Sequence, residues 1–192
     1  MEKISKKVGL LGLSANPPHN GHLEIAELLL RKKLVDAVWL VPCYKHPFDK
    51  SLISFEHRWK MALLMENKKI QASNIEFRLK GKSYTVKTVR ALKKEYPRCD
   101  FFWILGSDIV KKKSYKKWKN WPELSFLVNF LAVPRTGFKL NKVPPGFILV
   151  KGKISDISST EVRERVRRGL SIDGLVPQKI KEYIEKHKPY KQ

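Results

Sequence analysis

Cysteine, acidic side chains and long apolar runs are all scarce in this chain of 192 residues. Two cysteines, Cys43 and Cys99, cannot build a disulfide framework, so a reducing cytosol is the expected compartment. No apolar stretch approaches the roughly 20 residues that cross a bilayer, which predicts no membrane span. The opening residues, Met1-Glu2-Lys3-Ile4-Ser5-Lys6-Lys7, are basic and run straight into a strand, so no secretory leader is expected. Acidic residues number 18 against 40 Lys+Arg, a formal charge of +22. Such a field draws polyanions. The lysines are dispersed along the chain, many on faces expected to be solvated helix surface, and no basic tail stands apart. Anionic small substrates, with non-specific polyanion binding besides, are the expectation, and a dedicated nucleic-acid site is the alternative.

Hydrophobic residues make up 42% of the chain, enough for a sizeable core, and the length predicts one domain. Apolar runs at 8–11, 37–41, 101–105, 130–133 and 147–150 read as strands, the run at 101–105 as a central one, and Ile75-Glu76-Phe77 reads as a further short strand. Helical spacing at 22–33, 55–67, 85–96, 118–127, 160–168 and 177–187 supplies helices between and after them. The Pro- and Gly-rich stretch 134–146 reads as a surface loop, and no internal repeat occurs. Alternation of strand and helix predicts an α/β fold with a mostly parallel sheet flanked by helices.

The most informative segment is Gly12-Leu13-Ser14-Ala15-Asn16-Pro17-Pro18-His19-Asn20-Gly21-His22. It joins the first strand to the first helix, where open α/β sheets bind ligands. Backbone N–H groups and the positive helix end favour phosphate there. Two imidazoles at such a place can bond phosphate oxygens and stabilise charge that develops during transfer. A polar loop with a helix cap is the plain alternative. A zinc site is a second one, but neither cysteine is near in sequence and no zincin motif accompanies the histidines.

A second anion site is expected at Ile157-Ser158-Ser159-Thr160-Glu161-Val162-Arg163. Ser158 and Glu161 have capping-box spacing, and the hydroxyls and free N–H groups of a helix start gather there. Arg163, in the first turn, carries a fork that binds phosphate bidentately. An ordinary capped basic helix would have the same pattern.

Asn16, Pro17, His19, Gly21 and His22 resemble the H-x-G-H signature of ATP-dependent nucleotidyltransferases, with Ala15 where an aromatic is usual and Leu13 where glycine is frequent. Residues 157–163 resemble the I-S-S-T-x-x-R motif of the same superfamily. Three more blocks narrow the resemblance: Ser83-Tyr84-Thr85, Leu105-Gly106-Ser107-Asp108, and Tyr115-Lys116-Lys117-Trp118-Lys119-Asn120-Trp121. Together with Ser54–Ala62 and the tail from Val176 to Tyr190 they resemble the nicotinate/nicotinamide mononucleotide adenylyltransferases over nearly the whole chain. That resemblance implies a single Rossmann-like nucleotidyltransferase domain over 1–192. It implies transfer of AMP from ATP to the phosphate of nicotinate or nicotinamide mononucleotide, with Mg²⁺ arriving on the ATP and no protein metal site.

On this resemblance His19, His22 and Arg163 are the expected catalytic residues. Ser14, Asn16, Gly21, Gly106, Asp108, Ser158, Ser159 and Thr160 are expected to bind ATP. Gly106 lets a nucleotide approach the backbone, and Asp108 can accept ribose hydroxyls. Thr85, at a helix start, and Trp118, by stacking, are expected to take the pyridine ring. Trp118 also has helical spacing with Trp121 and Leu124, so a core tryptophan is its alternative. Lys45 or Lys50 is expected at the mononucleotide phosphate, with a solvated loop the alternative for either. Two other functions remain open: an adenylyltransferase acting on another phosphate ester, such as pantetheine phosphate, and a basic nucleic-acid-binding protein on the same fold.

Overall fold

The first apolar run becomes the hub of a six-stranded sheet. In the computed structural model, which describes residues 6–48 and 51–190, β1 (Lys6–Leu13) lies between β2 (Ala37–Pro42) and β4 (Cys99–Gly106). Val8 stands opposite Ala37 on one side and Phe101 on the other. With β3 (Ile70–Ala72), β5 (Asn129–Val133) and β6 (Phe147–Leu149) the order is β3-β2-β1-β4-β5-β6, and every pairing is parallel. The order reverses between β1 and β4, which opens a crevice at their carboxyl ends, the ligand position in doubly wound sheets.

Strand alternation divides the core in two. Leu11, Leu13, Val38 and Leu40 pack against α1 (Asn20–Arg31), α2 (Phe55–Leu63), α7 (Ser159–Arg167) and α8 (Gln178–His187), through Leu29, Met61, Val162 and Ile180. Val8, Leu10, Trp39 and Val41 face α3 (Ile75–Leu79), α4 (Thr85–Glu95) and α6 (Trp121–Leu127), through Ile75, Val89, Leu92 and Leu124. Between β4 and α6 lie α5 (Ser107–Lys111) and a 3₁₀ turn over Ser114–Lys117, neither of which was expected.

Two sequence expectations need correction. The triplet Ile75-Glu76-Phe77 is helical, and the third strand is Ile70–Ala72. Two apolar residues flanking a glutamate are too few to separate the two periods. Here Ser73 and Asn74 start a helix: the Ser73 hydroxyl accepts from the Ile75 N–H at 3.4 Å, and the Asn74 carbonyl from the Arg78 N–H at 3.1 Å. The expected helix from Trp118 begins at Trp121 instead, after Asn120 in the left-handed region and with Pro122 in its first turn. Proline fits a helix start and not its interior. Trp118 therefore sits before the helix in extended backbone. The loop at 134–146 is as expected and carries no helix or strand.

Candidate active site

A cavity of about 750 Å³ opens over the carboxyl ends of β1, β2, β4 and β5. Close backbone approach makes it. A Cβ on Gly12 would lie 2.5 Å from the Trp103 ring, and a Cβ on Gly106 2.2 Å from the Asp108 carboxylate. At Gly12 a side chain would have to displace the buried indole, whereas at Gly106 the Asp108 carboxylate would have to swing aside.

His19 and His22 stand at the N-terminus of α1 and line this cavity. Their rings lie 3.8 Å apart between centroids. The His19 backbone N–H donates to Nδ1 of His22 at 3.1 Å, so the neutral His22 ring carries its proton on Nε2. Burial, then the charge of Arg135, holds His19 down to about 4. Burial, then His19 and Arg135, holds His22 well below its ordinary range. Both rings are therefore neutral at pH 7. His22 presents one directed donor, and Nδ1 of buried His19 has no hydrogen-bond partner among the described residues.

The loop before α1 is fixed from behind. Ser159 donates to the Pro17 carbonyl at 2.8 Å and Arg163 to the Asn16 carbonyl at 2.8 Å. A second Arg163 nitrogen reaches the Thr160 hydroxyl at 3.2 Å, and Ser158 caps α7 by accepting from the Glu161 N–H at 3.1 Å. Asn16 is buried with its side-chain oxygen unpartnered. Asn16, Ser158, Ser159, Thr160 and Arg163 thus belong to the frame of the loop and are not among the residues lining the cavity. Ser14 and Gly21 do line it, as do Gly106 and Asp108.

At the other end Thr85 begins α4, and Trp118, half-buried, faces the cavity with its edge against Trp121. Glu76 is buried beneath Thr85, accepting from the Thr88 hydroxyl at 2.8 Å, and burial pushes its carboxyl up. Lys45 is exposed beside Tyr44, its ammonium 5.9 Å from the ring centroid, and lines a neighbouring basin instead. Lys50 lies outside the described residues. From the same loop it is Cys43, His46, Pro47 and Phe48 that reach the cavity.

Sequence reasoning passed over Arg135. It follows β5, its N–H donates to the buried Ser107 hydroxyl at 2.9 Å, and its Nε lies 3.9 Å from Asp108. A cation two residues beyond a strand's carboxyl end, in Val133-Pro134-Arg135, was the available signal. Lys117 and Lys119 add positive charge to the rim. The arrangement offers a cationic, partly enclosed groove with directed neutral donors in one half and an aromatic wall in the other, which suits a nucleotide lying across the crevice.

The chain matches the cytidylyltransferase-like family over residues 10–165. It is 33% identical over 189 residues to the nicotinate-nucleotide adenylyltransferase of Bacillus subtilis, covering 96% of this chain and 98% of that protein. Against the Bacillus licheniformis protein named "Probable nicotinate-nucleotide adenylyltransferase" the identity is 35% over 190 residues, again covering 96% and 98%. The crystal structure of Plasmodium falciparum nicotinic acid mononucleotide adenylyltransferase complexed with NaAD superposes with a TM-score of 0.81, at 24% identity, over 96% of this chain and 97% of that one.

Proposed function

We infer that this chain, which belongs to the nicotinate-nucleotide adenylyltransferases of the cytidylyltransferase-like family, moves the adenylyl group of ATP onto the 5′-phosphate of a pyridine mononucleotide. A phosphate oxygen attacks the α-phosphorus, the bond to the β-phosphate oxygen breaks, and pyrophosphate leaves with the electron pair. The attacking phosphate is ionised at pH 7, so the protein need supply no nucleophile or base. Its contribution is positioning and stabilisation of charge. The observation that carries this reading is one cavity lined by His19, His22 and Arg135 in one part and by Thr85 and Trp118 in another.

In this reading His22 Nε2–H and His19 bond the phosphates of ATP, Arg135 faces the charge that develops, and Gly106 with Asp108 receives the adenosine. Ser14 and Gly21 shape the floor. Asn16, Ser158, Ser159, Thr160 and Arg163 hold the loop whose other side receives the phosphates. Mg²⁺ enters on ATP as part of the substrate. Among the described residues no three His, Cys, Asp or Glu side chains gather as a metal centre would require. The free thiols of Cys43 and Cys99 accord with a reducing cytosol. Among the described residues no helix is long and apolar enough to cross a membrane.

For the second substrate we propose nicotinate mononucleotide. The 11-residue helix α4 directs its positive end at the Thr85 position, where a ring carboxylate gains more than a carboxamide. Glu76, its carboxyl pushed up by burial, weakens this preference least when protonated. The test is pyrophosphate release from Mg·ATP with nicotinate mononucleotide, nicotinamide mononucleotide or pantetheine phosphate, with products weighed by mass spectrometry. A deamido dinucleotide formed fastest supports the reading. Turnover with pantetheine phosphate alone would replace it.

A further inference from the structure

Arg58, in α2, is 2% exposed, and among the described residues its guanidinium is held by four backbone carbonyls and, more distantly, by the Cys43 sulfur at 3.9 Å. Nε donates to Ile53 O at 3.0 Å. Nη1 donates to Ser14 O at 3.0 Å and Cys43 O at 2.5 Å, and Nη2 to Tyr44 O at 3.0 Å. Among the described residues no carboxylate lies within ion-pair distance of it. Burying a charge without a counter-ion is costly, and an apolar side chain would pack α2 at less expense. What only the guanidinium provides is a planar fork that reaches carbonyls of three chain segments at once.

Two of those segments lead to opposite sides of the cavity. Ser14 leads the loop that delivers His19 and His22, and Cys43 and Tyr44 lead the loop that delivers His46, Pro47 and Phe48. The second loop is tied onward to the start of α4: the Tyr44 N–H donates to the Ser83 hydroxyl at 2.8 Å, and the Ser83 N–H to the Lys45 carbonyl at 2.9 Å. Ser83 is followed directly by Tyr84 and Thr85, which line the cavity. Arg58 is therefore the joint between the part of the protein assigned to ATP and the part assigned to the mononucleotide.

We propose that Arg58 is a positioning residue that sets the distance between the two bound substrates without touching either. The proposal rests on the transfer reaction inferred above. Each loop keeps its own contacts to its own substrate, so loosening the joint should leave binding nearly intact and impair the encounter of phosphate with α-phosphorus. Misplacement of about 1 Å between reacting groups costs on the order of 100-fold in rate.

The test compares wild type, Arg58→Lys and Arg58→Gln in steady-state assays with Mg·ATP and nicotinate mononucleotide, at a temperature where circular dichroism shows each protein folded. Lysine keeps the charge and glutamine keeps some donors, but neither spans the four carbonyls. The expected result, in whichever variant folds, is a kcat at least tenfold lower with both KM values within threefold of wild type. A smaller loss in kcat, or a loss carried by KM, would make Arg58 a packing residue and end the proposal, as would failure of both variants to fold. Wild type that transfers no adenylyl group would end the inferred activity itself, and the joint with it.

Discussion

Acid should unfold this protein through its active-site histidines, and His19→Asn should remove much of that sensitivity. In the unfolded chain His19 titrates near the ordinary 6.5, and in the fold near 4. Between those values the unfolded chain holds more protons, so falling pH favours unfolding. The contribution of the neutral ring is complete above about 6.5 and is lost as pH drops toward 4. Linkage between the two values gives a loss of about 2 kcal/mol by pH 5 and about 3 kcal/mol by pH 4. His22 is lowered by the same burial and adds in the same direction. Glu76 opposes it: its raised carboxyl binds a proton more firmly in the fold, which favours folding as pH falls. The difference between wild type and His19→Asn cancels Glu76. Asparagine is a good helix N-cap, so the start of α1 should survive the change. In a domain of this size about 1 kcal/mol moves the midpoint by roughly 2–4 °C. Between pH 7 and pH 5, ligand-free wild type should therefore lose about 4–8 °C more than the variant. Thermal melts in matched buffers across pH 4–7.5 measure this. Parallel curves for the two proteins would show that His19 is not held neutral by its surroundings.

Removing the directed donor by His22→Ala should lower kcat by roughly two to three decades while the protein still folds, since one preorganised donor at developing charge has that worth. Steady-state pyrophosphate release and a melting curve decide it, and near-wild-type turnover would refute the role. Arg135→Gln should reduce kcat/KM for ATP at least tenfold and also raise the titration of both histidines, whose neutrality its charge assists; proton NMR of the imidazoles tests the second half independently. Trp118→Ala should weaken nicotinate mononucleotide by about tenfold, the effect of a stacked ring, and ATP much less. Calorimetry that finds equal losses would return Trp118 to the core. Oligonucleotides should bind weakly, without sequence preference and with steep salt dependence, while adenylyl transfer persists at salt that abolishes retention; tight, selective binding near physiological salt would point to a nucleic-acid function.

The sequence was most legible where chemistry and chain order coincide. His19 and His22 lie at a strand-to-helix junction, and any parallel sheet brings such a junction to the ligand side. Gly106 and Asp108 end a strand in the same way. The residues that were passed over act across the fold. Arg135 meets Asp108 and the histidines only because β4, β1 and β5 lie side by side. Arg58 reads as one more cation on a helix until Ser14, Cys43 and Tyr44 turn their carbonyls toward it. Lys45 lies in the expected loop, with its side chain beside Tyr44 and lining a neighbouring basin, a direction that sequence does not encode. The short triplet at 75–77 was misread because its glutamate, polar in sequence, is buried against Thr88 of α4, and because three residues are too few to fix a period. The sequence also shows no strip of aromatics interleaved with lysines, yet the fold assembles Tyr44, Phe55, Trp59 and Phe77 beside Lys80. Phe55 stacks on Phe77 and Trp59, Tyr44 meets Phe55 and Phe77 at steep angles, and Lys80 covers Phe77 at 3.6 Å, so these faces are engaged within the protein.

On the reading proposed above, two kinds of donor at the phosphate end would divide the task of catalysis. Arg135 brings charge, which acts over distance but tolerates error in direction. His22 brings direction, because a backbone N–H pins its Nδ1 and leaves one proton on Nε2. A charged imidazole would donate from both nitrogens and lose the bond that orients it. Burial, assisted by the Arg135 cation, keeps the rings neutral and so preserves the hydrogen bond that orients His22. ATP phosphates entering between them offset that cation, so nucleotide binding should raise the histidines' affinity for protons just as negative charge accumulates beside them. On that reading the protein holds oriented neutral donors while empty, and bound phosphate would shift them toward accepting a proton, an effect of placement and not of any covalent step.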